Sequence, residues 1–253
     1  MAKETRKSFH EDLDRVKGDV ARLAALVTDA IPRGTTALLA CDLEEAQAII
    51  EHDVELDELS HEIEEHCYQV LALQQPVASD LRAIVTALRL NSEMERSGDL
   101  VVNIAKATRR IYAASFTPKL RGLIERMSQE AIRLYRRAID AYLDGDAALA
   151  AAIDDMDDTL DEFQRDFIEA VFHAHEHEDL DLAVAVQLAL IGRFYERIGD
   201  HAVTIGERVQ YMVTGWLPEH GEAHDAEEPA EEAPESASVP GPNGTAPPAG
   251  PED

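Results

Sequence analysis

The chain is 253 residues long and carries 51 Asp and Glu against 23 Lys and Arg, a formal net charge of −28. This acid surplus argues against direct binding of nucleic acid, because affinity for phosphates comes mainly from Lys and Arg. The two cysteines, Cys41 and Cys67, lack metal-type spacing, so we expect neither a disulfide scaffold nor a zinc finger. This low cysteine content is consistent with a protein of the reducing cytoplasm. No window approaches 18 uninterrupted apolar residues, so no membrane-spanning helix is predicted.

Helical periodicity dominates the chain from residue 4 to residue 214, where apolar residues recur at spacings of three and four residues and Gly and Pro are sparse. Leu, Ala, Glu and Arg, which are good helix formers, are abundant in the longest segments. We predict breaks at Pro32-Arg-Gly34, Gln75-Pro76, Thr117-Pro118 and Asp144-Gly-Asp146. The resulting six helices span 4–36, 42–74, 76–113, 117–144, 146–177 and 179–214.

The composition changes after Trp216. Residues 217–253 hold 8 of the 11 prolines and 10 acidic residues, with no Lys, Arg or aromatic residue. Such a segment cannot bury enough apolar surface to offset its ordering entropy, so we predict a disordered acidic tail. Removing its 10 acids from the 51 leaves 41 against 23 bases, so the predicted ordered part still has a net charge of −18.

The helical region contains an internal repeat of about 100 residues. Adding 104 maps Leu56-Asp57-Glu58-Leu59 onto Leu160-Asp161-Glu162-Phe163, and adding 101 maps Glu95-Arg-Ser-Gly-Asp99 onto Glu196-Arg-Ile-Gly-Asp200. Each half is then three helices with short connections, which place consecutive helices side by side and antiparallel. The predicted fold class is all-α, with tandem antiparallel three-helix bundles as domains at 4–113 and 117–214.

Each half also contains two pairs of carboxylates at positions i and i+4. Residues four apart lie on one helix face, about 6 Å apart along the axis, so each pair can point in one direction. If the second and third helices of a bundle are antiparallel, four carboxylates can meet at one level. The four pairs are Asp53 with Asp57, Glu95 with Asp99, Asp157 with Asp161, and Glu196 with Asp200.

Two interpretations of these pairs remain open. Like charges at this spacing destabilise a helix by a few tenths of a kcal/mol per pair, so the pairs need either a cation or full solvation. A solvated acidic face is the simpler interpretation of any single pair, but the recurrence at matching places in both halves favours cation binding. Clusters of oxygen ligands suit Mg²⁺, Mn²⁺, Ca²⁺, iron or, with less preference, zinc.

Three further features bear on the chemistry. Both third-helix pairs enclose a glycine, Gly98 or Gly199, which indicates either close helix packing or a bound ion. A ferritin-like di-iron oxidase is disfavoured, because the Glu-x-x-His spacing of Glu58 and His61 is not repeated in the second half. The histidine-rich end of the fifth helix, with His173, His175 and His177, is interpreted first as a solvated helix end, with a metal site as the alternative.

The paired motifs within an internal duplication resemble the PhoU family, regulators of phosphate uptake signalling. The family pattern is D-x-x-x-D in the second helix and E-R-x-x-D in the third helix of each repeat, and the resemblance covers residues from about 8 to 214. It implies metal ions bound by these motifs, either iron or zinc clusters or Mg²⁺ or Mn²⁺. The metal ligands implied are Asp53, Asp57, Glu95, Asp99, Asp157, Asp161, Glu196 and Asp200.

The resemblance also implies a cytoplasmic, non-enzymatic protein that represses the phosphate-starvation response. Its implied partners are the ATPase subunit of the phosphate ABC transporter and a membrane sensor histidine kinase, which ample phosphate keeps inactive. A homodimer is also expected, and the membrane is reached only through the partners. One asymmetry between the repeats lies in the helical turn after the third-helix motif, where Asn103 corresponds to Thr204. Because an amide ligates more readily than a hydroxyl, we expect unequal occupancy of the two sites.

Two alternatives stay open at this point. A carboxylate-bridged metalloenzyme, such as a hydrolase or oxidase, would use the same acidic motifs, although no phosphate loop, nucleophile elbow or identifiable nucleophile with a base is present in the sequence. A scaffold whose acid pairs are only solvated surface would bind no metal.

Overall fold

The computed structural model describes residues 2–216, with side chains described from residue 9 onward. Within that range it contains six helices and no strand, as predicted, and the helix boundaries lie within four residues of the predicted ones. The helices are α1 (Ala2–Ala40), α2 (Leu43–Gln74), α3 (Ser79–Arg110), α4 (Pro118–Asp144), α5 (Ala147–His177) and α6 (Leu182–Thr214). The acidic tail predicted at 217–253 lies outside the described residues. None of the described helices is both long and apolar enough to cross a membrane.

The repeat is visible in how α2 and α5 begin. The Asp42 carboxylate accepts hydrogen bonds from the backbone N–H groups of Glu44 and Glu45, both at 3.0 Å. Its repeat partner Asp146 accepts in the same way from Ala148 and Leu149 at 2.9 and 3.0 Å. Each aspartate satisfies N–H groups that have no partner within the helix, so both second helices begin at matching positions.

The break predicted at Pro32-Arg-Gly34 is wrong, since α1 continues through Pro32 to Ala40. A proline inside a helix costs about 3 kcal/mol because it lacks an N–H donor. Packing after this point helps to offset that cost: Leu38 is 1% exposed, and a fully buried leucine side chain contributes about 1.5–3 kcal/mol. Tertiary burial therefore overrides the local preference of proline for a helix end.

The six helices pack as two sets of three, with α1, α2 and α3 in one bundle and α4, α5 and α6 in the other. The bundles also touch each other, through α3 against α6 and α1 against α4, and the helices form one compact unit. At the contact of α1 with the second bundle, the Thr35 hydroxyl lies 2.7 Å from both Ser128 Oγ and Tyr195 Oη. The tandem bundles are as predicted, while their division into separate domains at 113 and 117 stays a prediction.

Helices α3 and α6 run antiparallel along the contact between the bundles. The guanidinium of Arg82, near the start of α3, donates to the carbonyl of Met212, near the end of α6, at 3.2 Å. At the other end, Arg110 of α3 donates to Gln187 of α6 at 3.3 Å. Because the two helices are repeats of each other, this arrangement places their Glu-Arg-x-Gly-Asp motifs at the middle of the contact.

Candidate metal centres

The first bundle brings its two carboxylate pairs into electrostatic contact. Burial raises the pKa of Asp53, and repulsion from Asp57 on its own helix and from Asp99 on α3 raises it further. The pKa of Glu95 is raised in the same way, by burial first and then by Asp99 and Asp57. Carboxylates on the facing helix therefore shift the pKa of each group, so α2 and α3 bring the four predicted side chains within electrostatic range of one another. We call this set the first carboxylate cluster.

The second bundle contains the equivalent set, the second carboxylate cluster, in a less solvated setting. Burial raises the pKa of Asp157 to about 7, with further repulsion from Asp161 and Asp200. The pKa of Asp200 is also raised by burial, although Arg193 opposes the shift. The residues around the second carboxylate cluster therefore balance its negative charge only in part.

Two carboxylate oxygens of the second cluster have no hydrogen-bond partner. They are Asp157 Oδ1 and Glu196 Oε2, and both are shielded from solvent. The other oxygen of Glu196 pairs with Arg193. A buried acceptor without a donor is costly, and a cation beside either oxygen would remove that cost. This donor set of carboxylate oxygens fits a hard or borderline cation.

The side chains are not arranged as a closed metal site. Among the described residues, no three His, Cys, Asp or Glu side chains lie close enough together to hold one ion. The assignment of eight carboxylates as ligands therefore stays a prediction, supported by the two clusters and by the unpaired oxygens of the second. A cleft of about 500 Å³ between α2 and α3 is lined by Asp57 and Glu95 of the first cluster, so ions can reach it from solvent.

The repeated glycines serve close helix packing. A Cβ atom added to Gly98 would lie 2.6 Å from Leu56 Cδ1, and one added to Gly199 would lie 2.6 Å from Leu160 Cδ2. Leu56 and Leu160 are repeat equivalents on the second helix of each bundle. At Gly199 an added Cβ would also overlap Asp157 Oδ1. The glycines thus let the second and third helices approach, and in the second bundle they make room for a carboxylate.

One hydrogen-bonded pair near the clusters could not be found from the sequence. Nδ1 of His201 on α6 lies 2.6 Å from Oε2 of Glu93 on α3, in the contact between the bundles. The hydrogen bond from His201 lowers the pKa of Glu93 against the opposing effect of burial. Both residues lie within two positions of a predicted ligand, Glu95 or Asp200, but no sequence pattern indicated that α3 packs against α6.

The asymmetric repeat positions occupy different settings. The Thr204 hydroxyl donates to the backbone carbonyl of Asp200 at 3.0 Å, so its proton is used within the helix. Asn103 is partly buried at the equivalent position of α3. Unequal metal occupancy of the two clusters stays a prediction. The two clusters do differ in one respect, since the unpaired carboxylate oxygens, Asp157 Oδ1 and Glu196 Oε2, both belong to the second bundle.

The chain is similar to known proteins in sequence and in fold. A family model described as the PhoU domain matches residues 20–108 and 124–209, one match in each bundle. The chain belongs to the PhoU family. The phosphate-specific transport system accessory protein PhoU homolog 1 of Mycobacterium tuberculosis is 35% identical over 218 residues, which cover 86% of this chain and 98% of that protein. The similarity therefore includes both repeats that carry the carboxylate motifs.

Solved PhoU structures have the same fold. The crystal structure of PhoU from Pseudomonas aeruginosa matches with a TM-score of 0.77 and 27% identity, covering 82% of this chain and all of that one. The phosphate transport system regulatory protein PhoU from Streptococcus pneumoniae matches with a TM-score of 0.76 and 25% identity, covering 83% of this chain and 99% of that one. The resemblance to the PhoU family is thus confirmed in sequence and in fold.

Proposed function

We propose that this PhoU family member is a regulatory accessory protein of phosphate uptake that represses the phosphate-starvation response. The supporting observation is the match to relatives named phosphate-specific transport system accessory protein along nearly their whole length. The proposed partners are the ATPase subunit of a phosphate ABC transporter and a sensor histidine kinase. The protein would act on the cytoplasmic side and contact the membrane only through these partners. The names accessory and regulatory protein point away from the metalloenzyme alternative.

We further infer that the two carboxylate clusters bind metal ions. Asp53, Asp57, Glu95 and Asp99 would supply the oxygens in the first bundle. Their equivalents in the second bundle are Asp157, Asp161, Glu196 and Asp200. A bound cation would supply positive charge where carboxylates repel one another, and this would stiffen the contact between the second and third helices of each bundle. Iron, zinc, manganese and magnesium all accept such ligands.

The regulatory proposal is tested in cells. We expect deletion of the gene to cause constitutive expression of a phosphate-starvation reporter in high phosphate, and the wild-type gene supplied in trans to restore repression. Pulldowns of the full chain against the transporter ATPase and the kinase test the adaptor role separately. Normal repression in the deletion strain would contradict the regulatory role, and binding to neither partner would contradict the adaptor role.

The metal proposal is tested on the purified protein. Elemental analysis should find a divalent or ferric ion in the wild type, and the double change Asp157→Asn with Glu196→Gln should remove the share held by the second bundle. Asp155→Asn is the matched control, because Asp155 is exposed on the same helix and lies outside the motif. Equal metal content in all three proteins would contradict the ligand assignment.

A further inference from the structure

The last turn of α5 presents a pair of histidines side by side. The rings of His173 and His177, one helical turn apart, stack with their centroids 4.7 Å apart and their planes 21° from parallel. Both side chains are 60% exposed. An i, i+4 histidine pair on one helix face is the spacing at which two imidazoles can ligate the same metal ion. The pair differs chemically from the carboxylate clusters, since its ligand atoms are nitrogens.

The other ring nitrogens already have acceptor groups beside them. Nδ1 of His177 lies 3.2 Å from the backbone carbonyl oxygen of His173. Since a carbonyl oxygen only accepts, this contact places a proton on Nδ1, and in the neutral ring Nε2 then carries the lone pair. Nδ1 of His173 lies 3.6 Å from the Glu178 carboxylate, which favours the same tautomer. Metal-ligating histidines typically donate their second N–H to a backbone carbonyl or a carboxylate in this way.

We propose that His173 and His177 form a binding site for a borderline divalent transition metal, such as Zn²⁺, through their Nε2 atoms. Imidazole nitrogen suits Zn²⁺, Cu²⁺ and Ni²⁺ better than Mg²⁺ or Ca²⁺. The C-terminal end of a helix carries partial negative charge, and Glu176 and Glu178 add two carboxylates, so a cation is favoured here. Two protein ligands leave the other coordination positions to water or to a group from another molecule.

This site is separate from the carboxylate clusters. His173 follows Asp161 by 12 residues along α5, which corresponds to roughly 18 Å of helix. The proposal therefore does not depend on metal binding by the carboxylate motifs. His175, which lies between the two ligands in sequence, has its Nδ1 2.8 Å from the carbonyl oxygen of Leu180 and is held at the α5–α6 turn. His175 thus provides a matched control on the same helical turn.

The test begins with removal of metal from the full chain with a chelator. The chain is then titrated with Zn²⁺, and isothermal titration calorimetry records the binding. We expect one binding step to be lost in His173→Ala and in His177→Ala and kept in His175→Ala. Glu178→Ala should weaken that step about tenfold, because the acceptor beside His173 Nδ1 is lost. Circular dichroism of each variant checks that the helices are unchanged. A step that persists in His177→Ala, or that is lost in His175→Ala alone, would overturn the proposal.

A second measurement identifies the ligand atoms directly. Cu²⁺ added in equimolar amount should give an electron paramagnetic resonance spectrum with imidazole nitrogen couplings in the wild type, and His177→Ala should reduce them. The double change Asp157→Asn with Glu196→Gln should leave both the couplings and the Zn²⁺ step intact. Loss of the couplings in that double variant would assign the binding to the carboxylate cluster and overturn the histidine site. Retention of the couplings supports the histidine site, even if the carboxylates bind no metal.

Discussion

The Glu93 carboxylate lies 2.6 Å from Nδ1 of His201, and this contact joins α3 of the first bundle to α6 of the second. The two side chains are 16% and 8% exposed, so little solvent competes for the contact. Their positions next to Glu95 and Asp200 place the pair at the level of both carboxylate clusters. The pair therefore couples the two bundles at the middle of their shared contact.

Replacing His201 with Ala should destabilise the fold by about 2–3 kcal/mol at pH 7, because the largely buried Glu93 carboxylate then loses its partner. Urea unfolding followed by circular dichroism measures the change. Arg96→Ala is the control: Arg96 is 60% exposed and lies 4.0 Å from the same carboxylate, so its removal should cost less than about 0.5 kcal/mol. Equal effects of the two changes would contradict the role assigned to His201.

The same pair predicts the sign of a pH dependence. The pKa of Glu93 is lowered in the folded protein below its ordinary value of 4.5. Its contribution to stability is therefore fully present above pH 4.5 and is lost as the pH falls through the lowered folded value. Glu93→Gln lacks this contribution, so the difference in unfolding free energy between wild type and variant should shrink as the pH falls below 4.5. A difference that is constant with pH would contradict the assignment.

Helix count and repeat could be predicted from the sequence because they depend on local pattern. The 3.6-residue periodicity defines each helix, and the capping residues Asp42 and Asp146 mark where the second helix of each bundle begins. The grouping of the carboxylates followed from the same repeat, since i, i+4 spacing and antiparallel neighbours leave few other arrangements.

Other features depend on contacts between distant segments. Pro32 was predicted to end α1, yet the helix continues because its following turns are buried against the other helices. The pair of Glu93 and His201 requires knowledge that α3 packs on α6, and no local pattern encodes that contact. The unpaired oxygens Asp157 Oδ1 and Glu196 Oε2 likewise follow from how deeply each side chain is buried, which differs between two repeats of similar sequence.

Asp157 should destabilise the metal-free protein at neutral and alkaline pH. Its pKa is raised from 3.8 to about 7 by burial and by neighbouring carboxylates, so stability is lost as the pH rises from 3.8 through about 7. In a chelator at pH 8, Asp157→Asn should be more stable than wild type by about 1–2 kcal/mol, with solvent screening taken into account. Below about pH 4 the difference should vanish, because the carboxyl is then protonated in both states.

Thermal unfolding at both pH values checks this prediction, with the exposed Asp155→Asn as the control. Added Mn²⁺ should reverse the order at pH 8, since an ion at a hundredfold excess over its Kd stabilises the binding protein by about 2.7 kcal/mol. A lower stability of Asp157→Asn in chelator would contradict the unfavourable charge assigned to this carboxylate.

Gly98→Ala should destabilise the fold although alanine favours helices more than glycine by about 1 kcal/mol. The added methyl group would meet Leu56 Cδ1 at 2.6 Å, and overpacking of this kind costs about 1–3 kcal/mol. Gly18→Ala is the matched control, because nothing lies within 4 Å of its added Cβ, and it should stabilise α1 by about 0.5–1 kcal/mol. Urea unfolding of both variants should therefore give effects of opposite sign, and two stabilised variants would contradict the close packing at Gly98.

Two fully buried tyrosines should respond differently to loss of the hydroxyl group. The Tyr195 hydroxyl lies 2.7 Å from Thr35 Oγ1, so Tyr195→Phe should cost about 1–2 kcal/mol by leaving a buried polar group with one partner fewer. The Tyr135 hydroxyl has no well-aligned hydrogen-bond partner, although Ser97 is close enough to oppose the rise in its pKa that burial causes. Tyr135→Phe should therefore be neutral or stabilising. Urea unfolding compares the two variants, and an equal loss of stability in both would show that the Tyr135 hydroxyl has a partner in solution, such as a buried water.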